Sequence, residues 1–202
     1  MVVSRPGMTM RWLREVDEAT VRQVHRVVGA VVDQGGAVGW LHTPTIRQTE
    51  RWLSTWTSAS ADGRAGLVFA AVNDRIEALG GWRAAAEGPV GHVSELTKVM
   101  AHPTARGLGL GRLVVDALID GASSFGTELL VLGVRGNNHG ARALYERCGF
   151  TVWGVLPNGV AVGNDRFDDV RMYRQLCLPD AAVIRGLTPG GAGGCSAPTR
   201  NA

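Results

Sequence analysis

The sequence predicts an α+β domain with α/β/α layering, in which a mixed, mostly antiparallel central sheet is packed between helices. Three patterns carry this expectation. Two amphipathic helical stretches precede the long strands, three strand-like runs then follow one another across short turns, and a strongly amphipathic helix leads into a continuous apolar strand. At 202 residues the chain is long enough for one sizeable core, and a second complete domain would be a squeeze.

The first strand is expected over roughly Met10–Val16. Val21, Val24, Val28, Val31 and Val32 then step by three and four residues along one face of a helix, with Asp17 as its cap, Thr20 at the third position and Gly35-Gly36 as its end. After a loop containing Pro44, Ile46, Leu53 and Trp56 mark a second, less regular helix that ends at Ala61-Asp62-Gly63. The runs Gly66–Val72, Ile76–Ala86 and His92–Ala101 read as an antiparallel meander, with Asn73-Asp74 as the tight connection between the first two.

Leu110, Leu113, Val114, Ala117, Leu118 and Phe125 have helical spacing and lead into the apolar strand Leu129–Val134. A helix between two such strands is a crossover, so the strands it joins are expected to be parallel. Ala141, Leu144, Tyr145 and Cys148 mark a short helix stopped by Gly149, and strands near Phe150–Leu156 and Asp169–Leu176 complete the sheet. From Pro179 the composition turns to Gly, Pro, Ala, Ser and Thr, too poor in apolar surface to order itself. The expected organisation is one domain over 1–178 and a disordered tail over 179–202, with no internal repeat.

With 45% hydrophobic and 19% charged residues, the chain reads as a packed globular protein. No run approaches the ~20 apolar residues of a membrane helix, and Met1–Arg14 lacks the apolar core of a secretory signal, so a cytoplasmic protein with no membrane partner is expected. Cys148, Cys177 and Cys195 form no CxxC pair, which supports neither a disulfide frame nor a metal site. A net charge of +3 without a clustered basic stripe does not argue for nucleic acid. It suits a small polyanionic ligand or is a chance excess.

The segment His102-Pro-Thr-Ala-Arg-Gly-Leu-Gly-Leu-Gly-Arg112 lies between a strand and an amphipathic helix. A helix start presents unpaired N–H groups and the positive end of the dipole, so it can bind phosphate where no side chain blocks the approach. Gly107, Gly109 and Gly111 remove that obstruction, although a tight turn without a ligand would also use them. A P-loop fails, because Arg112-Leu113 follows Gly111 where Lys-Ser/Thr is required. A dinucleotide turn is a weak third choice, since Gly-x-Gly-x-Gly here follows an antiparallel meander.

Val99-Met-Ala-His-Pro103 running into Arg106-Gly-Leu-Gly109-Leu-Gly111 resembles the cofactor motif of the GNAT (GCN5-related) N-acetyltransferases. Asn138-His-Gly-Ala141-Arg-Ala-Leu144-Tyr145-Glu-Arg-Cys-Gly149-Phe150 resembles the same family's Asn-x-x-Ala-x-x-Leu-Tyr-x-x-x-Gly-Phe pattern, and the likeness covers about Met10–Leu176. It implies the acyl-CoA N-acyltransferase fold, with a parallel pair splayed at strands 4 and 5 and acetyl-CoA as cofactor. Main-chain groups of Val99, Met100 and Ala101 would pair with the pantetheine arm. Arg106, Gly107, Leu108, Gly109, Leu110, Gly111 and Arg112 would take the pyrophosphate. A main-chain N–H near Val99 would stabilise the oxyanion.

The resemblance further implies direct attack of an amine on the thioester in a ternary complex. Tyr145 would touch the cofactor and protonate the departing thiolate, or else serve as a core aromatic. An ammonium with a pKa of about 10 must lose a proton before it attacks. Glu95, four residues before Val99 and so expected on the same sheet face, is the first candidate base and His92 the next; water could intervene, and a merely solvated Glu95 is the alternative. Asn138 would orient the cofactor arm or cap the following helix. Cys148, on an apolar helix face, reads as an inert thiol.

Asp33-Gln-Gly-Gly-Ala-Val-Gly-Trp40-Leu-His-Thr-Pro44 and His92–Gly111 resemble tabtoxin-resistance-type acetyltransferases, a bacterial resistance group, whereas Arg166–Tyr173 departs from that group. Trp40, Trp52, Trp56 and Trp82 wall a substrate pocket or fill the core. Asp33, Asp168 and Asp169 pair with a cationic amine or are solvated loop carboxylates. A small-molecule amine is the expected partner, for a monomer or homodimer. The alternatives are a protein N-terminal or lysine acetyltransferase and a non-catalytic CoA-binding sensor.

Overall fold

The computed structural model describes residues 7–36 and 38–176, so the expected tail at 179–202 and Cys177 and Cys195 lie outside the described residues. A seven-stranded sheet of order β1-β2-β3-β4-β5-β7-β6 forms the middle layer. The strands are β1 (Met8–Trp12), β2 (Ala65–Val72), β3 (Arg75–Ala84), β4 (Val93–Ala101), β5 (Leu129–Arg135), β6 (Thr151–Val162) and β7 (Asp165–Gln175). Helices α1 (Glu18–Asp33) and α2 (Ile46–Ala61) cover one face, and α3 (Leu110–Phe125) and α4 (His139–Arg147) the other. No helix of the described residues is long and apolar enough to cross a membrane.

Local chemistry explains most of the boundaries. Asp17 caps α1 by accepting from the Thr20 N–H at 2.7 Å and the Thr20 hydroxyl at 2.8 Å. Thr45 and Gln48 close a reciprocal capping box at the start of α2. The buried face of α2 is Thr49, Leu53 and Trp56, whereas Ile46, expected on it, is largely exposed. Asn73 and Asp74 both hold positive φ, 49° and 63°, the geometry that closes the β2–β3 hairpin.

Two expectations need correction. The first strand ends at Trp12, not Val16: Met8, Met10 and Trp12 pack toward the α3 core, Leu13 joins the α1–α2 core, and the chain then turns into the Asp17 cap. The last two strands are longer than expected and form one hairpin, with β7 between β5 and β6. Pro157, Asn158 and Gly159 are absorbed as an irregularity between Leu156 and Val160, and β6 is an edge strand, where proline's missing N–H costs no ladder bond.

Two features of β4 position the site. Its parallel pairing with β5 covers only Val93–Glu95 against Leu129–Val131, after which the two strands part, as the splay required. Opposite Gly80, between the Leu79–Met100 and Gly81–Thr97 pairs, β4 carries a bulge at Lys98, whose φ is 59°. The bare glycines accommodate it: a Cβ on Gly80 would meet Val114 at 2.7 Å and Val99 at 3.1 Å, and one on Gly81 would lie 2.3 Å from Trp56.

Candidate active site

Where β4 and β5 separate, a continuous cleft of ≈ 1030 Å³ passes through the sheet. On the α3–α4 face it is bounded by the glycine-rich turn, Ala141, Leu144 and Tyr145. On the α1–α2 face it is bounded by Glu95, Lys98, Asp169 and Arg171. A long ligand can therefore enter from one face and meet a second ligand from the other.

At the first end, Gly107 and Gly109 adopt left-handed φ of 84° and 80°, and Gly109 occupies the cap of α3 without any side-chain cap. The Arg112 N–H already donates to the Gly109 carbonyl at 3.1 Å, and the Leu110 and Gly111 amides ahead of it are left to an external acceptor. Gly111 has a different task, since a Cβ there would lie 3.1 Å from Leu144, so it lets α4 approach α3. Leu108 is 43% exposed, and its side chain stands outside the cleft wall. The two arginines of the turn are already engaged: Arg106 donates to Gln34 Oε1 at 3.0 Å, and Arg112 donates to both Asp116 oxygens at 2.7–2.8 Å and to the Arg147 carbonyl at 3.0 Å. The Asp116 carboxylate raises the Arg112 pKa.

Val99, Met100 and Ala101 lie beyond the last β4–β5 pair, where the edge of β4 facing the split has no strand partner in β5. The side chain of Asn138 accepts from the Ala141 N–H at 3.2 Å, so it caps α4. Tyr145 is buried, packs edge-on to Phe150 at 5.9 Å and also borders the cleft. Burial raises its pKa, so its phenol stays protonated across the neutral range. Cys148 is buried and free, with its thiol pKa pushed up by burial, and has the character of a packing residue.

The other end of the cleft differs from the sequence expectation in one important respect. Strand parity placed Glu95 and Val99 on one face. The bulge inserts a residue between them, so Glu95 lies on the α1–α2 face, paired opposite Arg83, while Val99 packs into the α3 core. Glu95 remains in the cleft, 3.8 Å from Arg171, which also meets Asp169 at 3.5 Å. Gly133 makes room for this group, since a Cβ there would stand 2.9 Å from Asp169 and 3.0 Å from Arg171. Asp168 and Asp169 belong to β7 and not to a loop, and Asp33 accepts from the Thr43 hydroxyl at 2.7 Å. His92 is exposed at the entrance to β4, outside the cleft wall, and its carbonyl receives the Glu128 and Leu129 N–H groups.

The four tryptophans divide between the layers. Trp40, Trp52 and Trp56 form an edge-to-face chain on the α1–α2 side, with centroids 5.1 and 6.2 Å apart, and Trp82 packs with Phe125 on the other side. Lys98, Arg171 and Arg135 are cleft residues that sequence reasoning missed; the adjacent polar pair Thr97-Lys98 inside an apolar strand was the available signal for the first. Lys98 Nζ donates to the Val38 carbonyl at 2.8 Å and lies 5.2 Å from the Trp40 ring, while Arg135 donates to the Gly35 carbonyl at 2.9 Å.

Residues 28–150 match the acetyltransferase (GNAT) family, and the chain belongs to it. L-methionine sulfoximine/L-methionine sulfone acetyltransferase of Salmonella typhimurium is 38% identical over 85 residues, 42% of this chain and 48% of that protein. L-amino acid N-acyltransferase MnaT of Escherichia coli is 36% identical over 59 residues, 29% of this chain and 34% of that protein. The chain thus spans less than half the length of these curated relatives. The structure of yncA from Salmonella typhimurium, solved with its cofactor acetyl-CoA, superposes with a TM-score of 0.72 at 24% identity, covering 87% of this chain and 97% of that one. The shared fold is the acyl-CoA N-acyltransferase fold.

Proposed function

We propose that this chain transfers the acetyl group of acetyl-CoA to the primary amine of a small molecule in the cytoplasm, with both substrates bound together in the split between β4 and β5. The observation that carries the reading is the cleft itself, which joins a helix start free of side chains on one face to a carboxylate-bearing wall on the other. Acetyl-CoA supplies an activated thioester. The residues present fit it: Gly107 to Gly111 and the first turn of α3 offer amides to a pyrophosphate, and Val99 to Ala101 offer an edge of main chain to an extended arm.

The remaining requirements concern protons. As the amine forms its N–C bond and the C–S bond breaks, one proton leaves nitrogen and one is needed at sulfur. Glu95 and Asp169 stand where an amine would enter, and either can accept the first proton directly or through water. Tyr145, kept protonated by burial at the opposite side of the split, can donate the second. The named substrates of the two curated relatives favour a small amine bearing an amino-acid skeleton over a protein terminus or lysine.

Thiol release from acetyl-CoA over a panel of amines, with Tyr145→Phe beside the wild type, tests this. Expected is turnover with at least one small amine, and a kcat about 10²-fold lower in the variant with little change in KM for acetyl-CoA. An unchanged kcat would remove Tyr145 from the chemistry. Acetyl-CoA binding without any turnover would point to a sensor.

A further inference from the structure

We propose that Lys98 binds the anionic group of the acceptor, so that the cleft selects primary amines that also carry a carboxylate or comparable oxyanion. The inference rests on the reading above, in which the acceptor enters from the α1–α2 face. It concerns a residue which that reading does not otherwise use.

The backbone is the first ground. Lys98 holds a left-handed φ of 59°, a conformation that costs a residue with a Cβ roughly 1–2 kcal/mol. If the bulge only had to redirect β4, glycine would serve there at less cost. The bulge instead carries a long cationic side chain onto the face that bears Glu95 and Thr97, into the wall of the cleft.

The second ground is the ammonium's surroundings. Its protein acceptor is the Val38 carbonyl at 2.8 Å, and the face of Trp40 lies 5.2 Å away. An ammonium has three donors, so this arrangement leaves hydrogen-bonding capacity unused. A Cβ on Gly39 would come within 1.9 Å of Nζ, so the seat exists only because residue 39 is glycine. Among the described residues, Lys98 forms no ion pair, although its side chain is partly withdrawn from water. Burial and the nearby Arg83 lower its pKa, and Glu95 opposes them, as expected for a cation short of negative charge.

The third ground is contrast with the neighbouring cation. Arg171 sits between Glu95 at 3.8 Å and Asp169 at 3.5 Å, so its charge is already compensated. The acceptor end therefore offers carboxylates to an amine and a separate uncompensated ammonium to an anion. A zwitterion with amine and carboxylate on one carbon carries a partner for each, and its carboxylate would give Lys98 a charge-assisted hydrogen bond.

The test uses the full chain, acetyl-CoA and matched acceptors: the common L-amino acids and L-methionine sulfone, each beside its own carboxamide, with neutral alkylamines and polyamines as a third group. Wild type is expected to favour at least one acid over its carboxamide by about 10-fold or more in kcat/KM. Lys98→Met should lower kcat/KM for that acid by about 10–100-fold while leaving the carboxamide within about threefold. Lys98→Arg should retain a preference for the acid. Melting temperature and acetyl-CoA binding show whether the variants are folded, and the wild-type ratio of acid to carboxamide needs no variant. Equal losses for acid and carboxamide in Lys98→Met would overturn the proposal, as would a wild type indifferent to the carboxylate. Turnover confined to the third group would sink the role of Lys98 and leave the acetyltransferase reading standing, whereas no turnover with any amine would sink both.

Discussion

Replacing Gly81 by alanine should destabilise the protein far more than adding one methyl group to a strand normally does. A Cβ at residue 81 would lie 2.3, 2.7 and 2.9 Å from three carbons of the Trp56 ring. Carbon atoms rest at about 3.5–4.0 Å, so the indole would have to retreat by more than an ångström. It has little room to do so, being 1% exposed, edge-on to Trp52 at 6.2 Å and covered by the Arg83 guanidinium at 4.0 Å. The strain must pass into α2 or into β3. Overpacking of this kind costs about 1–3 kcal/mol, which in a domain of this size lowers Tm by roughly 2–12 °C. Urea unfolding followed by tryptophan fluorescence should show a lower midpoint with an unchanged slope. Gly81→Ala combined with Trp56→Leu should recover part of the loss, giving a coupling energy of about 1 kcal/mol or more. A Gly81→Ala protein as stable as wild type would refute the argument, because the close approach of Trp56 to β3 would then not be needed.

Two further expectations concern the buried acid at the far end of β3. Glu77 meets Arg26 at 3.0 Å, Arg75 at 3.4 Å and His102 at 3.9 Å, so Glu77→Gln should leave cations without their counter-charge and cost about 2–4 kcal/mol in urea unfolding; a loss under about 0.5 kcal/mol would show the cluster to be solvated. His102 has its pKa lowered by burial first and then by Arg26, so the folded state disfavours its protonated form. The unfolded imidazole then binds its proton at a higher pH, near 6.5, and the contribution of His102 is fully present above that value and lost as pH falls below it. Wild type minus His102→Gln stability, measured between pH 8 and 5, should shrink toward acid, and a flat difference would count against this.

What could be read from the sequence was whatever short-range chemistry decides. The Asp17 cap, the Asn73-Asp74 hairpin and the glycines before α3 each depend on neighbours within a few residues, and each is where local rules placed it. The splay of β4 from β5 was legible only through the family resemblance, but it too is present. The bulge was not legible, because its cause lies across the ladder: Lys98 is the extra residue opposite Gly80, eighteen positions away in the chain, and period-two reasoning had no means of detecting it. The same error moved Glu95 to the wrong face while leaving it in the right cleft. The full length of the β6–β7 hairpin was hidden for another reason. Pro157 and Gly159 are breakers in a central strand, and only the sheet order reveals that β6 lies at an edge. Arg171 and Asp169 share a strand face by alternation, but they could not be placed in the cleft until β7 was known to run beside β5.

The bulge also makes the number of residues in β4 as consequential as their identities. Leu96 is committed to the α3 core and Met100 to the α1–α2 core, an odd relation for two positions four apart in a strand. Removing one residue between them would leave both side chains in their cores on a ladder of simple alternation, and what would be lost is the bulge that carries Lys98 into the cleft wall. Substitutions along this stretch adjust a site, but loss of a residue would remove the position from which Lys98 reaches the cleft, so spacing from Leu96 to Met100 is itself part of the specification of that wall.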